Sequence, residues 1–318
     1  MQLMAEEVPA GVEVEDRACP LGCPRNDQLV LMANDRLHGL PGRYPVVKCG
    51  TCGLMRTNPR PTARSIAFYY PTEYAPYAES RSYEAHEVSG PRRWIRKFVS
   101  GPSNAVPDVT PGHLLEFGCA SGAFLAYMAR RGWTCEGIEF SEAAAQRAQQ
   151  LGFRVQVGAL EDATPPTQPC DLIAGWMVLE HLHEPIDCLR QLRGWARDQG
   201  WLAVSVPDIG AFDFALAGAD WYGLHVPNHL YHFDRLSIRR VMDAAGWKVE
   251  ALHWHRNFGT PLQSLHARAR GRGDKTTAAV LNTLEHARLL GPARATLGIV
   301  AGCLRQSGRM TVWARPRQ

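Results

Sequence analysis

Four cysteines stand in two close pairs near the N-terminus, Cys19 with Cys23 and Cys49 with Cys52. Two such knuckles can turn their sulfurs toward one point and make the tetrahedral site that Zn²⁺ prefers. Because all four ligands are thiols, the site would be closed and structural. Two unlinked pairs of free thiols, or an iron–sulfur cluster, are the alternatives. We therefore expect a structural Zn²⁺ at this position.

Carboxylates stand at the ends of two consecutive strand-like segments. Glu116 precedes the small-residue turn 118–122, and Glu139 ends the next segment. An acid in the second position can accept hydrogen bonds from ribose hydroxyls. The turn lacks the three-glycine pattern that seats a pyrophosphate, and an acid before its first glycine would repel phosphate but suit a cationic amino-acid group. These features favour S-adenosylmethionine over NAD; the alternative is a strand-to-helix turn that only packs well.

Imidazoles and aromatic residues crowd the stretch 220–233. If a methyl group is transferred, the acceptor must lose a proton, and an imidazole that titrates near neutrality can take it. We select His229 as the base, with Tyr222 or Tyr231 assisting and His225 as the alternative. Taken singly, each histidine is more often structural, and a metal ion held by these histidines is the interpretation we favour least.

Alternating strands and helices occupy the chain from residue 113 onward. Helical segments such as Pro185 to Trp195 separate the apolar runs, which predicts a doubly wound α/β fold with a mostly parallel sheet. The expected strands are His113–Phe117, Thr134–Glu139, Arg154–Val157, Asp171–Gly175, Trp201–Val206, Trp247–His255 and Arg309–Ala314.

Composition shifts divide the chain into three parts. Residues 1–60 would hold a leader and the four-cysteine zinc module, and 61–112 a tyrosine-rich connector and linker. Residues 113–318 would form the main domain, with a helical insertion at about 258–305. The tyrosines at 69, 70, 74 and 77 are interpreted either as packing or as a lid, and 92–99 as a short basic helix.

The stretch 114–255 resembles the class I S-adenosylmethionine-dependent methyltransferases. The loop 116–122, the ribose-side segment 139–141, the adenine-side segment 158–161 and the segment 176–182 carry this resemblance. It implies a Rossmann-like seven-stranded sheet that ends with an antiparallel strand. The implied cofactor-binding residues are Glu116, Gly118, Cys119, Ala120, Gly122, Glu139, Phe140, Leu160, Glu161, Trp176, Met177 and His181.

Zinc knuckles followed by the segments 58–62 and 69–74 resemble one subgroup of these enzymes. It includes sugar C-methyltransferases and methyltransferases of polysaccharide and natural-product biosynthesis. The resemblance implies a small-molecule substrate, a sugar or secondary metabolite, methylated on oxygen or carbon. The segment 229–233 resembles the active-site segment of the sugar enzymes, in which the residue matching His229 is a base. Asn228 stands where those enzymes have Glu, and Val226 where they have Tyr.

The composition and charge of the chain limit the kinds of substrate and partner that we expect. Its 318 residues carry a formal net charge of +4 without a dense Lys/Arg stripe, which permits a nucleotide-linked or phosphorylated substrate but does not point to nucleic acid. An RNA base methyltransferase and a non-enzymatic zinc-knuckle interaction module are the rival functions. We expect no membrane span, reduced thiols and a cytoplasmic location. The helical segment after Thr276 is expected to cover the substrate or to form a homodimer face.

Overall fold

The N-terminal part of the chain forms a small antiparallel structure. The computed structural model describes residues 4–70, 105–256 and 259–317. Five short strands come first, β1 (Val14–Glu15), β2 (Asp27–Asn34), β3 (Arg43–Cys49), β4 (Met55–Thr57) and β5 (Arg60–Pro61), followed by a 3₁₀ turn at Ile66–Tyr69. β2, β3 and β4 pair in an antiparallel sheet, and β1 pairs with β5. The cysteine-rich stretch is therefore a β-sheet, a structure for which its spacing gave no indication.

A seven-stranded sheet forms the centre of the molecule, in the order β12-β13-β10-β9-β6-β7-β8. Its strands are β6 (His113–Phe117), β7 (Thr134–Glu139), β8 (Arg154–Val157), β9 (Cys170–Trp176), β10 (Ala196–Pro207), β12 (Trp247–Trp254) and β13 (Arg309–Pro316). β13 runs antiparallel to both of its neighbours, and the pairings among β6 to β10 are parallel. All five residues of β6 are buried, as expected for a strand covered on both faces. The predicted Rossmann-like α/β fold is confirmed.

Eight α-helices connect the strands within the described residues. They are α1 (Ala123–Ala129), α2 (Glu142–Gln150), α3 (Pro185–Trp195), α4 (Phe212–Ala217), α5 (Ser237–Ala244), α6 (Gly259–Gly271), α7 (Lys275–His286) and α8 (Gly291–Cys303). Local sequence explains their starts: the Ser141 hydroxyl accepts from the Ala144 amide at the start of α2, and proline occupies the first turn of α3. None of the helices in the described parts is long and apolar enough to cross a membrane.

The segment expected to form one helical insertion is divided, and two other expected features fall outside the described residues. The insertion expected at about 258–305 is three helices, because the glycines at 271 and 273 and the Gly291-Pro292 pair interrupt it. The predicted basic helix at 92–99 and the tyrosines at 74 and 77 lie outside the described residues.

The N-terminal sheet is completed by a strand from the main domain. β11 (Tyr231–His232) pairs antiparallel with β4, opposite Arg56 and Met55. One hydrophobic core also runs through both parts, so that Val46 and Leu54 belong to the same buried cluster as Phe117. Residues of the N-terminal part can therefore reach the carboxyl edge of the central sheet. The predicted boundaries at 60/61 and 112/113 stay a prediction.

Candidate active site

A cavity of about 990 Å³ opens at the carboxyl ends of the central strands. β6 lies between β7 and β9 in the sheet, so the chain reverses its winding direction here, which is where ligands bind in open α/β sheets. The strand ends and the loops that follow them line one wall. Residues of the N-terminal part and of the loop 221–233 line the other, among them Arg17, His38, Tyr70 and His229.

The two strand-end carboxylates both face this cavity. Glu139 is 4% exposed, and its oxygens accept hydrogen bonds of 2.8 Å from the backbone amides of Ala120 and Ser141. Glu116 is 3% exposed, and its Oε2 has no hydrogen-bond partner among the described residues. Burial, and then the charge of Glu139, raises the pKa of Glu116 well above its usual value. Burial also raises the pKa of Glu139, against the opposing effect of the amides that it accepts from. The pair is thus suited to a ligand that brings a cation and hydroxyl donors.

The glycines of the loop are also required by close packing of the protein itself. We expected Gly118 and Gly122 to let a ligand approach the main chain. A Cβ at Gly118 would lie 2.4 Å from Val178 Cγ2, and one at Gly122 would lie 2.8 Å from the Ala148 Cβ. Protein atoms therefore fill the space that the glycines leave, and Gly122 does not line the cavity. Gly118 does line it, and both glycines have positive φ angles, +69° and +79°.

The other predicted cofactor residues all line the cavity: Cys119, Ala120, Phe140, Leu160, Glu161, Trp176, Met177 and His181. Phe140 is 56% exposed at the rim, which leaves an aromatic face for a ligand. Ala120, Met177 and His225 have positive φ angles although none is a glycine. Strained backbone of this kind is concentrated at functional sites, and these three residues share one cavity.

Histidine rings form the opposite wall. The ring centroid of His229 lies 4.6 Å from that of His181 and 4.9 Å from that of His225. Nδ1 of His229 donates to the Gly223 carbonyl oxygen at 2.9 Å, so the lone pair of this ring is on Nε2. Burial lowers the pKa of His181 and of His225 to about 3, and that of His229 well below its usual value. All three imidazoles are therefore neutral at physiological pH, and none of them titrates near neutrality, whereas the prediction of a base from the sequence assumed that one would.

Of the two tyrosines predicted to assist the base, only one is at the site. Tyr222 lines the cavity and is 41% exposed. Tyr231 does not line it: its hydroxyl donates to the His183 carbonyl at 3.1 Å and accepts from Arg60 at 3.1 Å. The prediction for Tyr231 is wrong, because its side chain belongs to the packing between the N-terminal part and the main domain.

A family model described as a methyltransferase domain matches residues 90–252. The chain belongs to this methyltransferase domain family. It is therefore an enzyme that transfers methyl groups. No curated protein matches the chain.

Two solved structures illustrate what this methyltransferase is similar to. One is an S-adenosylmethionine-dependent methyltransferase from Mesorhizobium loti, with 15% identity, a TM-score of 0.45, and coverage of 66% of this chain and 93% of that one. The other is the magnesium protoporphyrin IX methyltransferase of Synechocystis with bound SAH, with 14% identity, a TM-score of 0.41, and coverage of 65% and 75%.

The cysteine pairs of the methyltransferase come together as the spacing predicts. The sulfurs of Cys19, Cys23, Cys49 and Cys52 all lie within 4.8 Å of one another. Cys19 Sγ and Cys52 Sγ are 3.5 Å apart. The Gly53 amide closes the second knuckle on the Cys49 carbonyl at 2.9 Å, with a φ of +77° at Gly53. Four thiol donors around one point fit a tetrahedral Zn²⁺.

Several cavity residues were missed from the sequence. Leu37 and His38 come from the turn after β2, Arg17 precedes the first cysteine, and Arg309 begins β13. Their spacing carries no signal, because the turn after β2 reaches the cavity only when the N-terminal sheet packs onto the main domain, and Arg309 only when β13 inserts between β10 and β12. Tyr70 belongs to the tyrosine-rich stretch, and its hydroxyl lies 2.8 Å from His181 Nδ1.

Proposed function

We propose that this methyltransferase moves a methyl group from S-adenosylmethionine to a small molecule, a sugar or a secondary metabolite, on oxygen or carbon. The observation that carries the proposal is the pair of buried carboxylates, Glu116 and Glu139, on adjacent strand ends of one cavity. The cofactor is a nucleoside with a sulfonium and an ammonium group, and it supplies an electrophilic methyl group when bound. A phosphorylated cofactor would place anions against these two carboxylates, which costs free energy.

Each wall residue has a role in this proposal. Glu139 accepts from the ribose hydroxyls, since each oxygen that receives one amide hydrogen has a second lone pair. The unpartnered oxygen of Glu116 takes the ammonium group. Phe140, Leu160 and Glu161 border the adenine. The methionine end is bordered by Trp176, Met177 and His181.

The substrate would occupy the histidine wall. His38 and Tyr70 come from the N-terminal part and enclose this end of the cavity, which suits a small molecule better than a polymer. Arg17, whose guanidinium pairs with Glu184 at 2.6 Å, and Arg309 also line the cavity and are compatible with a phosphorylated or nucleotide-linked acceptor. His229 or His225 would take the acceptor's proton, since both rings are neutral, and Tyr222 would help to position the acceptor.

We propose that the four clustered cysteines hold one structural Zn²⁺. With four protein ligands the ion has no open position, so it takes no part in methyl transfer. Its effect is to hold the turns on either side of β2 and β3 together and so to keep His38 at the cavity.

Calorimetric titration of the zinc-loaded protein tests the proposal. S-adenosylhomocysteine should bind with one site per chain, and NAD should not bind. Failure of S-adenosylhomocysteine to bind would overturn the proposal. Incubation with methyl-labelled S-adenosylmethionine and panels of nucleotide sugars, phosphorylated sugars and RNA then tests the substrate class. A labelled RNA product with steeply salt-dependent binding would contradict the small-molecule assignment.

A further inference from the structure

One carboxylate lies behind the histidine wall without a hydrogen-bond partner among the described residues. Glu180 is completely buried, and neither Oε1 nor Oε2 has a hydrogen-bond partner among the described residues. Burial raises the pKa of Glu180 to about 8, with the charge of Arg309 among the opposing effects. A carboxyl group buried in this way costs free energy unless something at the site compensates it.

Two imidazoles stand beside this carboxylate. Glu180, His181 and His229 each offer a ligand atom, and the three atoms lie within 4.8 Å of one another. His229 Nε2 lies 3.9 Å from Glu180 Oε1. Bonds from a metal ion to nitrogen and oxygen ligands are about 2.0–2.2 Å long, so two ligand atoms of one ion lie up to about 4.3 Å apart. The cluster thus needs only a small adjustment to bind an ion.

Backbone carbonyl oxygens contact Nδ1 of both rings, as is common for histidines that bind metal ions. Nδ1 of His229 is bonded to the Gly223 carbonyl, and Nδ1 of His181 lies 3.0 Å from the Asn228 carbonyl oxygen. In the His229 ring, Nε2 is left for the cluster and its lone pair is available. The Leu230 amide donates to the Glu180 carbonyl at 2.8 Å and so ties the two ligand segments together.

We infer that Glu180, His181 and His229 form a binding site for a divalent first-row transition ion at the substrate end of the cavity. Two imidazoles and one carboxylate favour ions such as Mn²⁺, Fe²⁺, Co²⁺ and Zn²⁺ over Mg²⁺ and Ca²⁺, which prefer oxygen ligands alone. Three protein ligands leave positions for an acceptor oxygen. This inference rests on the proposed function and narrows it: the acceptor carries a hydroxyl or enol that binds the ion directly.

The assignment changes the role of one histidine. With Nε2 of His229 bound to the ion, the proton of the acceptor passes to His225, whose ring is 4.9 Å from that of His229. The acceptor oxygen then forms the new bond to the methyl carbon. The electron pair of the broken carbon–sulfur bond goes to sulfur, which leaves S-adenosylhomocysteine. A bound cation helps because it lowers the pKa of the hydroxyl.

Titration with Mn²⁺, followed by the loss of the free-ion electron paramagnetic resonance signal, tests the site. The protein is loaded with Zn²⁺ at the cysteines and stripped of weakly bound ions, and no methyl donor is added. Wild type should bind one Mn²⁺ per chain, and Glu180→Gln and His229→Asn should each weaken binding at least about tenfold. Asp162→Asn removes a carboxylate that lines the same cavity outside the cluster, and it should leave binding unchanged.

Thermal melts identify any variant that fails to fold, and His181→Asn then replaces it in the comparison. Wild type that binds neither Mn²⁺ nor a second equivalent of Zn²⁺ overturns the inference, as does equal binding by all cluster variants. Titration of the same samples with S-adenosylhomocysteine separates the two proposals. Binding of S-adenosylhomocysteine without Mn²⁺ overturns the metal site alone, whereas the reverse overturns the proposed function.

Discussion

The two walls of the cavity differ in how they are built and in their charge. On the sheet side, Glu116 and Glu139 lie at the ends of β6 and β7, and Met177 follows β9, each within a few residues of a predicted strand end. We call the opposite wall, which carries His38, Tyr70 and His229, the module side. These three residues come from distant parts of the chain and meet only through packing. The sheet side carries buried carboxylates, and the module side carries neutral imidazoles. Local sequence therefore determines the sheet side, whereas long-range packing brings the residues of the other side together.

Disruption of the cysteine cluster should have the largest effect on stability. It should destabilise the N-terminal sheet, which carries part of the module side, before the main domain. Cys52→Ser leaves three thiols, and a structural Zn²⁺ contributes on the order of 10 kcal/mol to folding of small zinc domains. Because the N-terminal sheet shares a core with the main domain, we expect a loss of several kcal/mol in the free energy of unfolding. Denaturant titration and zinc content measure this, and Cys303→Ser is the control because Cys303 is exposed. Unchanged stability in Cys52→Ser would mean that the cluster does not hold the module.

One methyl group added on the sheet side should have an intermediate effect. A Cβ at Gly175 in β9 would lie 2.2 Å from Phe117 Cζ in the adjacent β6. We expect Gly175→Ala to lower the free energy of unfolding by about 1–3 kcal/mol. Gly194→Ala in α3 meets no atom within 4 Å and should raise stability by about 0.5–1 kcal/mol. Denaturant titration of both variants measures the difference, and equal effects would contradict the tight packing of these strands.

The sheet side was largely predictable from the sequence, and the module side was not. Five of the expected strands begin at the predicted residue, and Glu116 and Glu139 face one cavity, because strand periodicity and strand-end acids are local signals. Tyr231 was misassigned because its place depends on Arg60, far away in the sequence. His38 was missed for the same reason. The clustering of Glu180 with His181 and His229 could not be foreseen, because the first two lie next to each other in sequence but far from the third.

Lowering the pH should have the smallest effect, confined to the sheet side. The raised pKa of Glu116 means that the folded protein without ligand favours the protonated acid, and that this contribution to stability is lost as pH rises through the folded pKa. A ligand ammonium needs the ionised carboxylate, so affinity for S-adenosylhomocysteine should rise several-fold as pH increases from about 5 to about 8. Calorimetry across that range measures the change, and Glu116→Gln should flatten it. A profile that stays steep in this variant would assign the effect to another group.

We propose that the two carboxylates at adjacent strand ends, Glu116 and Glu139, hold the amino-acid and nucleoside ends of the methyl donor. Calorimetric titration of S-adenosylhomocysteine into wild type, Glu116→Ala and Glu139→Ala tests it most directly, with Asp162→Asn as the matched control. Loss of a charge-assisted hydrogen bond costs about 1.5–3 kcal/mol, so each variant should bind about 10-fold to 100-fold more weakly. If both variants bind as tightly as wild type while remaining folded, the donor does not bind at these strand ends and the account is contradicted.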